Sequence, residues 1–92
     1  MITAIVLINA DVHRIPEAGQ AIAEIDGVTE VYSVTGGADL IALVKVARHE
    51  DLADVIADRI NKAQGVISTD THIAFRTYSR SDLDAAFSIG LD

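Results

Sequence analysis

The feature that most constrains this chain is an internal echo. Sliding the sequence along itself until Gly27 falls on Gly65 also sets Val28 on Val66, Ile22 on Ile60, Ala4 on Ala42 and Val6 on Val44. Each copy reads as strand, helix, strand. Ile2 to Asn9 is apolar on both sides, with Ile2, Ala4, Val6 and Ile8 on one and Ile5 and Leu7 on the other, as in a central strand. A helix is expected over Ile15 to Ile25. Pro16 suits its first turn and Glu17 its positive dipole end. Ile15, Ala18, Ala21, Ile22 and Ile25 form its apolar face, and Gly27 stops it. Val28 to Thr35 is the second strand and Leu40 to Val46 the third. A second helix over Glu50 to Lys62 buries Leu52, Val55, Ile56, Ile60 and Ala63, and Gly65 ends it. A fourth strand runs from Val66 to about Tyr78, long enough to outrun its neighbours and reach a partner subunit.

Two such units joined by a hairpin give an α+β, ferredoxin-like β-α-β-β-α-β fold, a four-stranded antiparallel sheet. Right-handed crossovers put both helices on one sheet face. The other face is then uncovered and carries Ile, Leu and Val. A domain of 92 residues buries only about 60% of its unfolded surface, yet 50% of these residues are apolar. A second copy is the simplest cover for that excess, which predicts a homodimer joined through its sheet faces as a dimeric α+β barrel. Residues 1–79 are expected to form this domain. Residues 80–92 form a tail in which Ser81 caps a short helix with Leu83, Ala86 and Phe87 turned inward.

Composition removes several functions. The formal net charge is -7, from 14 acidic and 7 basic residues, so direct nucleic-acid binding is disfavoured. There is no cysteine, which excludes disulfides, thiolate catalysis and cysteine-ligated zinc. The N-terminal apolar run is too short to span a bilayer and lacks a basic flank, so no membrane association is expected and a cytoplasmic location is. His13, His49 and His72 lack metal-ligand spacing, and no metal or other cofactor is expected.

One stretch carries chemistry. Between the second and third strands lies Gly36-Gly37-Ala38-Asp39. Two glycines let the chain reverse, leave backbone N–H groups bare, and put a carboxylate beside them. N–H groups facing a carboxylate and Asp39 facing an ammonium would hold a zwitterion. The same residues also make an ordinary hairpin turn in which Asp39 bonds nearby backbone. Elsewhere the plainer readings prevail. Tyr32 and Tyr78 read as packing residues, Asp51, Asp54 and Asp58 as a solvated helix face, and Arg76 and Arg80 as strand-end charges.

These residues together resemble a known family. Asp26-Gly27-Val28-Thr29-Glu30-Val31, the turn Thr35-Gly36-Gly37-Ala38-Asp39-Leu40, and Gly65-Val66-Ile67-Ser68-Thr69-Asp70-Thr71 are similar, at these spacings, to the ligand-binding (RAM) domain of the Lrp/AsnC regulators. The resemblance covers Met1 to about Tyr78. Members usually carry an N-terminal DNA-binding helix-turn-helix; with a strand beginning at Ile2, a stand-alone domain is expected here. The resemblance implies a non-enzymatic module, dimers assembling into octamers or related rings, and small effectors, usually amino acids, bound between dimers near this turn. It implies co-assembly with full-length Lrp/AsnC regulators as a route to tuning transcription. Gly36, Gly37 and Asp39 would meet the effector's polar ends, and Thr69 and Thr71 would line the pocket. Members often have a bulky residue where Ala38 stands. Two other classes stay open on the residues alone: a small dimeric α+β barrel enzyme of the monooxygenase or isomerase kind, and a purely structural assembly domain whose β-branched Thr69 and Thr71 only build a strand.

Overall fold

The computed structural model describes residues 1–80, so the expected short helix after Ser81 lies outside the described residues. Four strands, β1 (Ile2–Ala10), β2 (Val28–Ser33), β3 (Leu40–Val46) and β4 (Val66–Ile73), form one antiparallel sheet in the order β2-β3-β1-β4. Helix α1 (Ile15–Ala23) follows β1. Helix α2 starts as α-helix at His49–Ala53 and continues as a π-helical stretch at Asp54–Ile60. This is the expected β-α-β-β-α-β fold.

Directly opposed residues of antiparallel strands point to the same sheet face. The pairs Val6 with Ala42, Ala4 with Val44 and Ile8 with Leu40 therefore mark one face. All six are buried, together with Ala18 and Ile22 of α1 and Leu52, Val55 and Ile60 of α2. That is the helix-covered core. The pairs Ile5 with Leu43 and Leu7 with Ile41 mark the opposite face. Among the described residues no helix covers it, and all four side chains are half-buried.

Several boundaries differ from expectation, among them the end of β2, at Ser33 rather than Thr35. β4 ends at Ile73 rather than near Tyr78. It is an edge strand whose single neighbour is β1; Ile73 pairs with Ala4, and the Ala74 N–H donates to the Thr3 carbonyl at 2.8 Å. Beyond that β1 has run out, and Phe75 and Tyr78 stand fully or largely in solvent. The first helix ends at Ala23, and Ala21 lies exposed while Ala18 and Ile22 are buried. The second helix widens: the Asn61 N–H donates to the Ile56 carbonyl at 2.8 Å, an i to i−5 bond. The wider turn brings Val55 and Ile60 to the sheet side together.

The two glycines of the echo have matching roles. Gly27 and Gly65 both have positive φ, 97° and 92°. A β-carbon on Gly27 would sit 3.0 Å from Val55 Cγ2 of α2, and one on Gly65 would sit 3.2 Å from Arg14 Cβ at the start of α1. Each helix thus packs on the glycine that ends the other, and a side chain fits at neither.

Candidate functional site at the hairpin corner

The β2–β3 hairpin turns at Ser33 to Leu40. Gly36 takes φ 115°, the left-handed region that glycine enters without strain. The Val34 N–H donates to the Asp39 carbonyl at 3.1 Å, and the Asp39 N–H to the Ile8 carbonyl at 2.9 Å. These bonds fasten the hairpin to the end of β1. Among the described residues, no hydrogen bond engages the N–H groups of Gly36, Gly37 or Ala38. Open space surrounds the position a β-carbon would take on either glycine.

Asp39 has a partner that sequence reasoning did not supply. The register of β1 against β4 shifts between Asn9 and Ala10. The Ala10 N–H donates instead to Asp39 Oδ2 at 2.9 Å. The carboxylate thus satisfies a partly buried amide where the ladder is interrupted.

Beside this turn, at one end of the uncovered sheet face, lies a cavity of about 310 Å³. Gly37 and Ala38 form one wall. The floor and far wall come from Leu7 and Asn9 of β1 and Ser68, Thr69 and Asp70 of β4. The register explains the grouping, because Leu7 lies opposite Asp70 and Asn9 opposite Ser68. Asn9 Nδ2 donates to Ser68 Oγ at 3.3 Å. His72 follows on the same face, its Nε2 3.3 Å from Asp70 Oδ2.

Of the five residues expected at a site, Gly37 and Thr69 line this cavity; Gly36, Asp39 and Thr71 do not. Thr69 and Thr71 lie opposite Ile8 and Val6, on the helix side of the sheet. The Thr69 hydroxyl donates to Asn61 Oδ1 at the end of α2, at 2.6 Å. Asn9, Ser68 and Asp70 were not singled out in the sequence. Their alternation with Leu7 and Thr69 was legible, but the pairing of β1 with β4 that gathers them was not.

A larger hollow, about 410 Å³, lies beneath α1 against the edge of the sheet. Its walls are mostly apolar, from Ile15, Pro16, Ala23, Val31 and Leu40, with Gln20 and Ser33 the polar side chains and no charged one among the described residues. It has little with which to orient a polar ligand. Among the described residues no group of three or more His, Asp or Glu side chains is placed to hold a metal ion. No helix in them is long and apolar enough to cross a membrane. Tyr32, on the uncovered face of β2, hydrogen-bonds Glu30, and that carboxylate raises its phenol above the ordinary value.

Comparison with known proteins agrees with the architecture. Residues 3–83 match the Lrp/AsnC ligand binding domain family. The transcriptional regulator LysM of Saccharolobus solfataricus is 36% identical over 63 residues, which is 68% of this chain and 44% of that protein. An uncharacterised HTH-type transcriptional regulator of Pyrococcus furiosus, PF0250, is 33% identical over 82% of this chain and 52% of its own length. This chain thus spans about half the length of the curated relatives it matches. The crystal structure of TTHA0845 from Thermus thermophilus superposes with a TM-score of 0.82 at 50% identity, covering 87% of this chain and all of that one. The feast or famine regulatory protein Rv3291c of M. tuberculosis, complexed with L-methionine, superposes with a TM-score of 0.72 at 30% identity, over 87% of this chain and 54% of that one. Duplicated fold, hairpin corner and sequence likeness converge: this chain belongs to the Lrp/AsnC family, through its ligand-binding domain.

Proposed function

We propose that the chain is a non-enzymatic effector-binding module that assembles with itself, takes a small amino acid at the hairpin corner, and modulates transcription through full-length Lrp/AsnC regulators without touching DNA. The observation that carries this reading is the cavity of amino-acid size lined by Gly37 and Ala38 of the turn together with Asn9, Ser68 and Asp70, the turn's backbone N–H groups having no hydrogen bond among the described residues. The L-methionine bound by the M. tuberculosis relative supports the ligand class.

The uncovered sheet face supports self-assembly. Ile5, Leu7, Ile41 and Leu43 form an aliphatic centre on the two middle strands. Around it stand Glu30 and Tyr32 on one side and Asp70 and His72 on the other. An apolar centre within a polar rim is the anatomy of a protein interface. Two such faces stacked together make a homodimer, and the cavity then lies at the rim of the seam, where further dimers joining into an octamer or similar ring would close over it. A net charge of -7 keeps the module off nucleic acid and suits a cytoplasmic protein.

A calorimetric screen of the proteinogenic amino acids against the purified oligomer tests the reading. The expected result is saturable heat for one or a few of them. No heat from any of them at millimolar concentration would overturn it. Enzymatic chemistry has little support, because among the described residues the cavity's only charged lining group is a single carboxylate, and acid–base catalysis needs a positioned and tuned proton donor or acceptor.

A further inference from the structure

We propose that residues 74–80 of one copy form an arm that docks on a second copy, in a groove beside the start of β2, with Phe75 and Tyr78 seated on apolar walls and Arg76 paired with Asp26. This rests on the self-assembly through sheet faces read above and adds a separate contact, made by different residues, that locks it.

Three observations carry it. First, the arm suits a contact that its own chain does not make. Every residue from Phe75 to Arg80 is exposed, Phe75 wholly and Tyr78 by 78%. Two exposed aromatic rings close together on an extended segment are the anchors of a protein interface. The arm also holds Arg76 and Arg80 and no acid, on a chain whose formal net charge is -7. Neither arginine has an ion-pair partner among the described residues.

Second, a groove of about 280 Å³ offers the matching chemistry. Val46, Ala47 and Val55 supply apolar walls, Asp26 and Asp51 two carboxylates, and Arg59 a cation. Asp51 Oδ2 already lies 3.6 Å from Arg48 Nε, whereas Asp26 has no ion-pair partner among the described residues. A guanidinium from the arm supplies one. An aromatic ring of the arm gives Arg59 a face to lie against.

Third, the sheet sets arm and groove at one end. A single row across it reads Ile73, Ala4, Val44, Val28. The arm leaves just past Ile73, and Asp26 and Val46 stand just past the same row. Within one chain β1 and β3 separate the two edges. Two sheets stacked about a two-fold axis parallel to their strands lay β4 of one copy over β2 of the other and keep this end in common. Seven extended residues reach about 23 Å, against about 10 Å between stacked sheets. The arm can therefore pass the end of the second sheet and enter the groove beyond it. The two-fold makes the exchange mutual, each copy giving one arm and receiving one.

The chain has no cysteine, so an engineered disulfide reports the contact. The double variant Thr77→Cys, Ala47→Cys is oxidised mildly as the purified oligomer and read by non-reducing electrophoresis and peptide mass. A bond between the two positions on different chains is expected, and neither single variant should link. A bond within one chain, or free thiols in a protein whose light-scattering mass is at least two chains, would overturn the arm and leave sheet-face assembly standing. A one-chain mass for the unaltered protein would overturn both. Phe75→Ser with Tyr78→Ser removes only exposed side chains and should raise the dimer's dissociation constant about tenfold or more. Arg76→Glu should lower the linked fraction, and adding Asp26→Arg should restore part of it. An unchanged dissociation constant, or a linked fraction indifferent to Arg76→Glu, would overturn the assignment.

Discussion

The two halves of the molecule, β1-α1-β2 and β3-α2-β4, start from the same pattern and end differently. Their inner strands are related by a local two-fold that passes between Ile5 and Leu43. Ala4 pairs with Val44 and its counterpart Ala42 with Val6; Ile2 pairs with Val46 and its counterpart Leu40 with Ile8. The outer strands break the symmetry. Val31 of β2 lies opposite Ala42, so an exact copy would put Thr69 opposite Ala4. Thr69 lies opposite Ile8, four residues along. The helices differ as well, since α1 is regular and α2 contains the π-helical stretch Asp54–Ile60.

This difference locates the site. The slide carries Ser68 and Asp70 toward the end of β1 where Leu7 and Asn9 stand, beside the hairpin turn. The hairpin joins the halves and so exists only once. Their sequence counterparts do not regroup: Glu30 and Tyr32 lie opposite Leu43 and Ile41, while the Lys45 N–H donates to the Gly27 carbonyl at 2.8 Å, so no equivalent of the Leu7, Asn9, Ser68 and Asp70 wall forms there. The repeat builds the core, and the departures from the repeat build the pocket.

The core claim is tested hardest at Ile22 and Ile60, equivalent positions that are both fully buried. Replacing either by alanine should cost about 2–5 kcal/mol, read from denaturant unfolding at one fixed protein concentration. Near-equal losses are expected. A loss confined to one half would break the equivalence. Gly27→Ala and Gly65→Ala come next, each costing about 1–3 kcal/mol for forcing a side chain into a left-handed conformation. Gly27 should suffer more, because its β-carbon would meet two valines, at 3.0 and 3.2 Å. Equal or negligible costs in thermal unfolding would show that the helices move apart easily.

Asp39→Ala probes a contact with no counterpart in the other half. Leaving the Ala10 amide without its acceptor should cost about 1–2 kcal/mol and raise hydrogen exchange at Ala10 above that of its neighbours. Unchanged exchange there would mean the carboxylate does not hold the corner. The smallest effect concerns Tyr32, whose phenol is raised first by its hydrogen bond to Glu30, then by desolvation and by that carboxylate's charge. In a Tyr78→Phe background, Glu30→Gln should move the single phenolate absorbance titration to lower pH. A shift upward, or none, would remove Glu30 as the cause.

What the sequence made legible follows the same division. Element order, core face and terminating glycines depend on periodicity and on glycine's special backbone, both local properties, and they were readable from Ile22, Ile60, Gly27 and Gly65. The end of β4 was not, because Phe75 continues the alternation after β1 has stopped. The π-helical stretch was hidden because Val55, Ile56 and Ile60 suit an α-helical face equally well. At the corner, Gly36 and Gly37 announced a turn, but the partner of Asp39 depends on a register shift on another strand. Asp70 became visible only once β4 was set against β1.

The account depends most on the aliphatic centre of the uncovered sheet being closed by a second copy of the chain. Light-scattering mass measured on the protein in dilute buffer tests this most directly. A mass of at least two 9.8 kDa chains is predicted, falling toward one chain when Leu7 and Leu43 are both replaced by aspartate. A unit-mass particle from the unaltered protein would contradict it.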